Sequence, residues 1–177
     1  MITSRSLRRI AAAGLAIVAC GHASAQMVTY TFNELPAGTP VTTQYEGVTF
    51  SVIGQSCQPL QTLYMRTANT FLGSHSFADP VLVIDQGCPD FSSDYLRMVF
   101  DQPTDEIRFT LGPWYGSYQV RAYNTAGTLI STQNITIPGS GFVDVNRLVT
   151  FKAPSPLFKR VEVQETIGLW EAIDDLS

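Results

Sequence analysis

The sequence predicts an all-β protein, an antiparallel β-sandwich of short strands, on three observations. Apolar and polar residues alternate over short segments, Gly and Pro separate those segments about every ten residues, and helical spacing is nowhere sustained. A segment that alternates with period two has one face for a core and one for water, and two such sheets can bury their apolar faces together.

The candidate strands follow one another along the chain. "VTYTF" (28–32) runs into "NELPAGTP", a Pro/Gly turn, and is followed by "GVTFSVI" (47–53) and "LQTLYM" (60–65). "VLVID" (81–85) and "YLRMVF" (95–100) come after these, and residues 66–94, which include the first of the two, are the least regular region, long and polar. In "EIRFTL" (106–111), Ile107, Phe109 and Leu111 face one way and Glu106, Arg108 and Thr110 the other. In "YQVRAYN" (118–124), Val120 and Ala122 oppose Gln119, Arg121 and Tyr123, and Asn124 reads as a turn residue. "LISTQNITI" (129–137) and "RLVTFK" (147–152) come next, then "KRVEVQ" (159–164), where Val161 and Val163 oppose Arg160, Glu162 and Gln164. "LWEAID" (169–174) is the last, and it ends on the adjacent carboxylates Asp174 and Asp175.

Ahead of the strands, residues 1–25 read as an export signal. Arg5, Arg8 and Arg9 form a basic start, "IAAAGLAIVA" is too short to span a bilayer, and "ASA" (23–25) suits a signal peptidase. A rival processing site, "IVAC", fits a lipoprotein box with Cys20 as the lipidated residue. Residues 26–177 then form a single domain, secreted or periplasmic, or anchored through Cys20 on the rival reading. That stretch holds eight Lys and Arg against fifteen Asp and Glu, a net charge of −7. An acidic surface argues against nucleic acid and anionic membranes as partners, and no further apolar segment predicts a transmembrane span. The two remaining cysteines, Cys57 and Cys88, are expected to form a disulfide in an oxidising compartment.

The order of motifs carries a resemblance. "YTFNELPAGTPVTTQYEGVTFS" near the start, "IRFTLG" and "YQVRAYNTAGTLI" in the middle, and "VEVQ" and "AIDDLS" at the end resemble a jelly-roll domain of secreted bacterial proteins. Such domains are similar to galactose-binding-like β-sandwiches and to the carbohydrate-binding modules built on that fold. Many belong to exosortase-sorted (PEP-CTERM) proteins, although this sequence carries no sorting tail. The resemblance covers nearly all of residues 26–177, with 55–95 the least constrained part.

It implies a structural calcium where the first and last strands meet. Glu34 matches the N-terminal acidic ligand, Asn33 its amide neighbour, Asp174 or Asp175 the C-terminal ligand, and the Gly47 region a backbone carbonyl. All are oxygen donors, as a hard cation requires. Asn33 departs from a common Asp and removes one negative charge. Alternation puts Asp174 on the inward face with Trp170 and Ala172, unless a bulge exchanges the roles. The alternative is that both aspartates are solvated end residues and Glu34 an exposed turn residue.

"LGPWYGSYQV" (111–120) reads as a hairpin tip that holds Trp114 and Tyr115 between Gly-Pro and Gly. Flat aromatics stack on the C–H faces of sugar rings, so the two are candidate ligand contacts; the alternative is that Trp114 caps the core. Catalysis finds little support. One histidine, His75, remains beyond the leader, no G-x-S-x-G elbow exists, and spacing pairs no two of the fifteen carboxylates across a cleft. The expected function is non-catalytic recognition outside the cell, with an extracellular glycan as ligand. The alternative is a structural or adhesive role toward a cell-surface protein.

Overall fold

A computed structural model describes residues 28–36, 38–53, 63–66, 81–84, 95–112, 114–142, 147–167 and 172–177. The leader (residues 1–25), His75, and both Cys57 and Cys88 with their expected disulfide lie outside the described residues.

The described residues form strands and no helix. In chain order these are β1 (Val48–Ile53), β2 (Leu63–Arg66), β3 (Val81–Ile84), β4 (Tyr95–Thr104), β5 (Glu106–Leu111), β6 (Trp114–Tyr123), β7 (Leu129–Phe142), β8 (Arg147–Lys152), β9 (Phe158–Ile167) and β10 (Ala172–Asp174). They make two sheets, ordered β1-β4-β9-β6-β7 and β2-β3-β10-β5-β8, with every pairing antiparallel. The chain passes repeatedly from one sheet to the other, so sequence neighbours such as β4 and β5 lie in different layers. This is the antiparallel sandwich expected from the alternation, in the jelly-roll form that the resemblance implies.

The core lies where the inner faces meet. Ile107, Phe109 and Leu111 of β5 and Val149 and Phe151 of β8 face Val120 and Ala122 of β6 and Val161 and Val163 of β9, all at 2% exposure or less. Fully burying one Val, Leu, Ile, Phe or Met side chain stabilises by roughly 1.5–3 kcal/mol. At the edge, where β7 and β8 come together from opposite sheets, Gln133 Nε2 donates to the Thr150 carbonyl at 2.7 Å. An inward polar side chain there satisfies a backbone acceptor and closes the side of the sandwich.

The β6–β7 hairpin turns on Asn124, as its sequence predicts. The Asn124 Oδ1 accepts from the backbone N–H of Ala126 at 3.0 Å and of Thr128 at 2.9 Å, and Gly127 supplies a φ of +77°.

Two expectations are corrected. "VTYTF" is no continuous strand: Tyr30 alone pairs, through two backbone bonds with Leu176 of 2.7 and 3.1 Å, and the chain then turns at Phe32, whose φ is +59°. The turn drives the Phe32 ring into the core, fully buried, with edge-on contacts to Tyr45 at 5.3 Å and Phe50 at 6.0 Å. The ring's burial holds a conformation that a bulky residue rarely adopts. The segment with Trp114 and Tyr115 is not a hairpin tip either, because β5 and β6 belong to different sheets and the segment crosses between them. Local alternation locates both strands, yet it carries no information on which sheet each one joins.

Candidate functional site

Among the described residues, two places bring polar chemistry together. One is where the chain ends meet. The other is the outer face of the sheet β1-β4-β9-β6-β7.

At the ends, the Tyr30–Leu176 bridge continues into a second backbone pair: Arg108 N–H donates to the Ser177 carbonyl at 2.6 Å and Ser177 N–H to the Arg108 carbonyl at 2.7 Å. Of the residues expected to ligate calcium, Asn33 is exposed, and the exposed Glu34 accepts from Thr31 Oγ1 at 3.1 Å and from the Tyr45 hydroxyl at 3.3 Å. Burial, and then this carboxylate, raise the ionisation of the Tyr45 hydroxyl well above its usual range. Gly47, at φ +87°, turns its chain beneath Tyr30, whose hydroxyl would lie 3.5 Å from an added Cβ, and the Gly47 carbonyl accepts from Asp101 N–H at 2.9 Å.

Asp174 closes β10 opposite Thr110, and its Oδ1 accepts from Asp175 N–H at 2.8 Å. The inward residue is Ile173, at 1% exposure, so Asp174 lies on the other face and the parity inferred from Trp170 and Ala172 is corrected. Asp175, exposed at φ +50°, then swings the chain so that Leu176 enters the core. Asp tolerates the left-handed region better than most residues. Among the described residues no three Asp, Glu, His or Cys side chains form a group suited to a metal. Beside this junction lies an open groove of about 710 Å³ bordered by Val28, Tyr30, Glu46, Phe100, Asp101 and Leu176.

The outer face is built by register. Antiparallel pairing puts Arg97 of β4 opposite Glu162 of β9, and Glu162 opposite Arg121 of β6. The next row sets Gln164 of β9, Gln119 of β6 and Asn134 of β7 side by side. Arg97 Nε donates to Glu162 Oε1 at 3.0 Å, with Nη2 at 3.0 Å from the same oxygen and also donating to the Tyr95 hydroxyl at 3.0 Å. Arg160 Nε is 3.2 Å from that oxygen too, an ion pair without hydrogen-bond alignment. The Arg160 guanidinium lies 4.0 Å from the centre of the Tyr123 ring, within cation–π range. Burial, followed by a bond to Glu162, raises the Tyr123 hydroxyl above its ordinary ionisation.

Glu162 is consequently 4% exposed although it stands on the side of the sheet that faces away from the core. A carboxylate is retained at such burial only when paired and hydrogen-bonded, and two arginines and a tyrosine do this here. Arg121 is held differently: Nε donates to Gln119 Oε1 at 2.6 Å and Nη2 to Gln164 Oε1, and Gln119 Nε2 donates onward to Asn134 Oδ1 at 3.2 Å. The result is a planar array of guanidinium, amide and phenol groups on a rigid sheet.

The sequence placed Gln119, Arg121 and Tyr123, and Arg160, Glu162 and Gln164, on common faces but did not join them into a site. The available signal was the chemistry of the polar parity: arginines, glutamines and tyrosines in place of the Ser, Thr and Lys of an ordinary wet face. Trp114 and Tyr115 open β6, where Trp114 pairs with Phe142 of β7; their side chains lie outside the described residues.

No family model matches the chain, and no curated protein matches it in sequence. Solved structures do match. The K2 cleaved adhesin domain of Lys-gingipain superposes with a TM-score of 0.55 at 12% identity, over 84% of this chain and 96% of that one. In fold, the chain is similar to cleaved adhesin domains. The K1 adhesin domain of Lys-gingipain from Porphyromonas gingivalis W83 gives a TM-score of 0.53 at 14% identity, over 84% and 95% of the two chains. A family 32 carbohydrate-binding module from C. perfringens NanJ, solved with galactose, reaches a TM-score of 0.42 at 12% identity over 73% of this chain and 93% of that one, too low to carry an argument. At these identities the likeness establishes the fold alone.

Proposed function

We propose that the chain is a secreted, non-catalytic recognition module that binds a glycan on the outer face of the β1-β4-β9-β6-β7 sheet. The observation that carries this reading is the burial of Glu162 under Arg97, Arg160 and Tyr123 on a face turned away from the core. A merely solvated face gains nothing from ordering long side chains, since exposed ion pairs contribute about 0–1 kcal/mol. Fixed donors and acceptors beside the rings of Tyr95 and Tyr123 suit a saccharide, which offers hydroxyls at its rim and C–H groups on its faces. Pre-ordering these groups lowers the entropy cost of binding. Trp114 and Tyr115 open the strand that carries Gln119 and Arg121 and are further candidate contacts for the ligand.

The calcium belongs to the same proposal. Asn33, Glu34, the Gly47 carbonyl and one of Asp174 and Asp175 are all oxygen donors, and support comes from the pairing of Tyr30, shortly before Asn33, with Leu176, next after Asp175. The residues suit a site with two carboxylates rather than three. A bound ion would relieve repulsion among acids near the core. Thermal melts with calcium and then chelator test it: a hundredfold excess over the dissociation constant stabilises by about 2.7 kcal/mol, and superimposable melts would remove the ion from the proposal.

A glycan array with the purified chain, Trp114→Ala, Tyr115→Ala and Gln119→Ala tests the recognition reading. Signal that falls in Gln119→Ala while the fold is intact supports the outer face. Silence across the array favours a structural or adhesive protein that contacts other proteins.

A further inference from the structure

We infer that the outer-face site selects a saccharide bearing an oxyanion, a uronate carboxylate or a sulfate, and that Arg121 is the residue that takes it. The inference rests on the recognition reading and adds the ligand's charge. Residues 26–177 carry eight cations against fifteen carboxylates, yet three of the eight, Arg97, Arg121 and Arg160, stand on this one face. Arg97 and Arg160 both turn to one carboxylate, Glu162. One negative charge therefore serves two guanidinium groups.

Arg121 stands opposite Glu162 on β9, yet among the described residues its hydrogen bonds go to neutral side chains, while Glu162 is taken by Arg97 and Arg160. Arg121 bonds the amide oxygens of Gln119 and Gln164 and the Tyr123 hydroxyl, neutral groups that orient a guanidinium without cancelling its charge. Register puts Arg121 one strand from Glu162 and two from Arg97, so Arg121 and Arg97 are set roughly 10 Å apart across the sheet. The face gathers three cations on an otherwise acidic molecule, which steers an anionic ligand toward it. A neutral sugar would leave that charge unanswered, whereas an oxyanion accepts from a guanidinium in the strong, charge-assisted geometry.

Affinity electrophoresis of the purified chain through gels containing polygalacturonate, chondroitin sulfate, or neutral galactan and xylan tests this. Retardation by a charged polymer, weaker in 0.3 M salt and lost on carboxyl reduction or desulfation, is expected, and the polymer that retards identifies the oxyanion. Arg121→Gln should weaken binding by about tenfold or more, and Arg121→Lys, which keeps the charge and loses the fork, by an intermediate factor. Should Arg121→Gln misfold, as circular dichroism would reveal, the salt dependence and Arg121→Lys still decide. Equal retardation by neutral and charged polymers, or by neutral ones alone, overturns the inference and leaves the recognition reading standing. No retardation in any gel overturns both.

Discussion

The strands β4, β9 and β6 present two faces, and the two are built by opposite chemistry. Inward, Met98, Val161, Val163, Val120 and Ala122 form a dry layer fixed by apolar burial alone. Outward, one residue away along each strand, Arg97, Glu162, Arg160 and Arg121 form a charged array in which a carboxylate reaches nearly the same burial as the valines. The inner face needs only volume and hydrophobicity, and many sequences satisfy that. The outer face needs particular groups in particular rows, because an unpaired charge at such burial is costly. The first kind of burial makes the fold and the second kind makes a site.

Substitutions can break that contrast at adjacent positions. Met98→Ala on the inner face should cost about 2–5 kcal/mol in a urea titration through transfer and cavity terms, with no change in ligand selectivity. Glu162→Gln should cost about 1–3 kcal/mol, a smaller loss because Arg97 and Arg160 are 27% and 28% exposed and water partly screens them. A loss below about 0.5 kcal/mol would make the outer array ordinary surface.

Alkaline pH sharpens the comparison further. Tyr123 ionises above its ordinary value near 10 in the folded chain, so its stabilising effect is whole below pH 10 and is lost as pH rises through the raised value. Tyr123→Phe should flatten the fall in stability above pH 10 (stability measured by urea midpoint at each pH), whereas Met98→Ala should leave its slope unchanged. The smallest effect is expected on the outer face of the other sheet, where Lys152 Nζ lies 2.8 Å from Glu106 Oε2 and Arg108 pairs with the same carboxylate. These two cations hold the Glu106 carboxyl below its usual range. Lys152→Ala should shift the melting temperature barely, and not at all in high salt.

The inner face was legible in the sequence because period-two alternation is local: "EIRFTL" and "RLVTFK" coincide with β5 and β8 residue for residue. Failures came where a distant partner decides. Phe32 turns inward because Tyr45 and Phe50 receive its ring, and the crossing of "LGPWYGS" follows from which sheet each strand joins. At the C-terminus the parity inferred from Trp170 and Ala172 gave way to Ile173, which fills the core and leaves Asp174 on the opposite face. The outer array stayed hidden for the same reason. Arg97 and Glu162 are 65 positions apart, and antiparallel register alone sets them side by side. Residue chemistry showed which side chains were polar, and topology turned them into a surface.

If the outer array is a binding surface, ligand lands on it. Titration of the 15N-labelled chain with a galacturonate trisaccharide, followed through the arginine Nε–H resonances, tests this most directly. The expected result is saturable shifts of Arg121 and Arg97 with Arg108 and Arg147 unmoved. Shifts that spare Arg97, Arg121 and Arg160 and gather instead at the groove beside Tyr30 and Leu176 would contradict it.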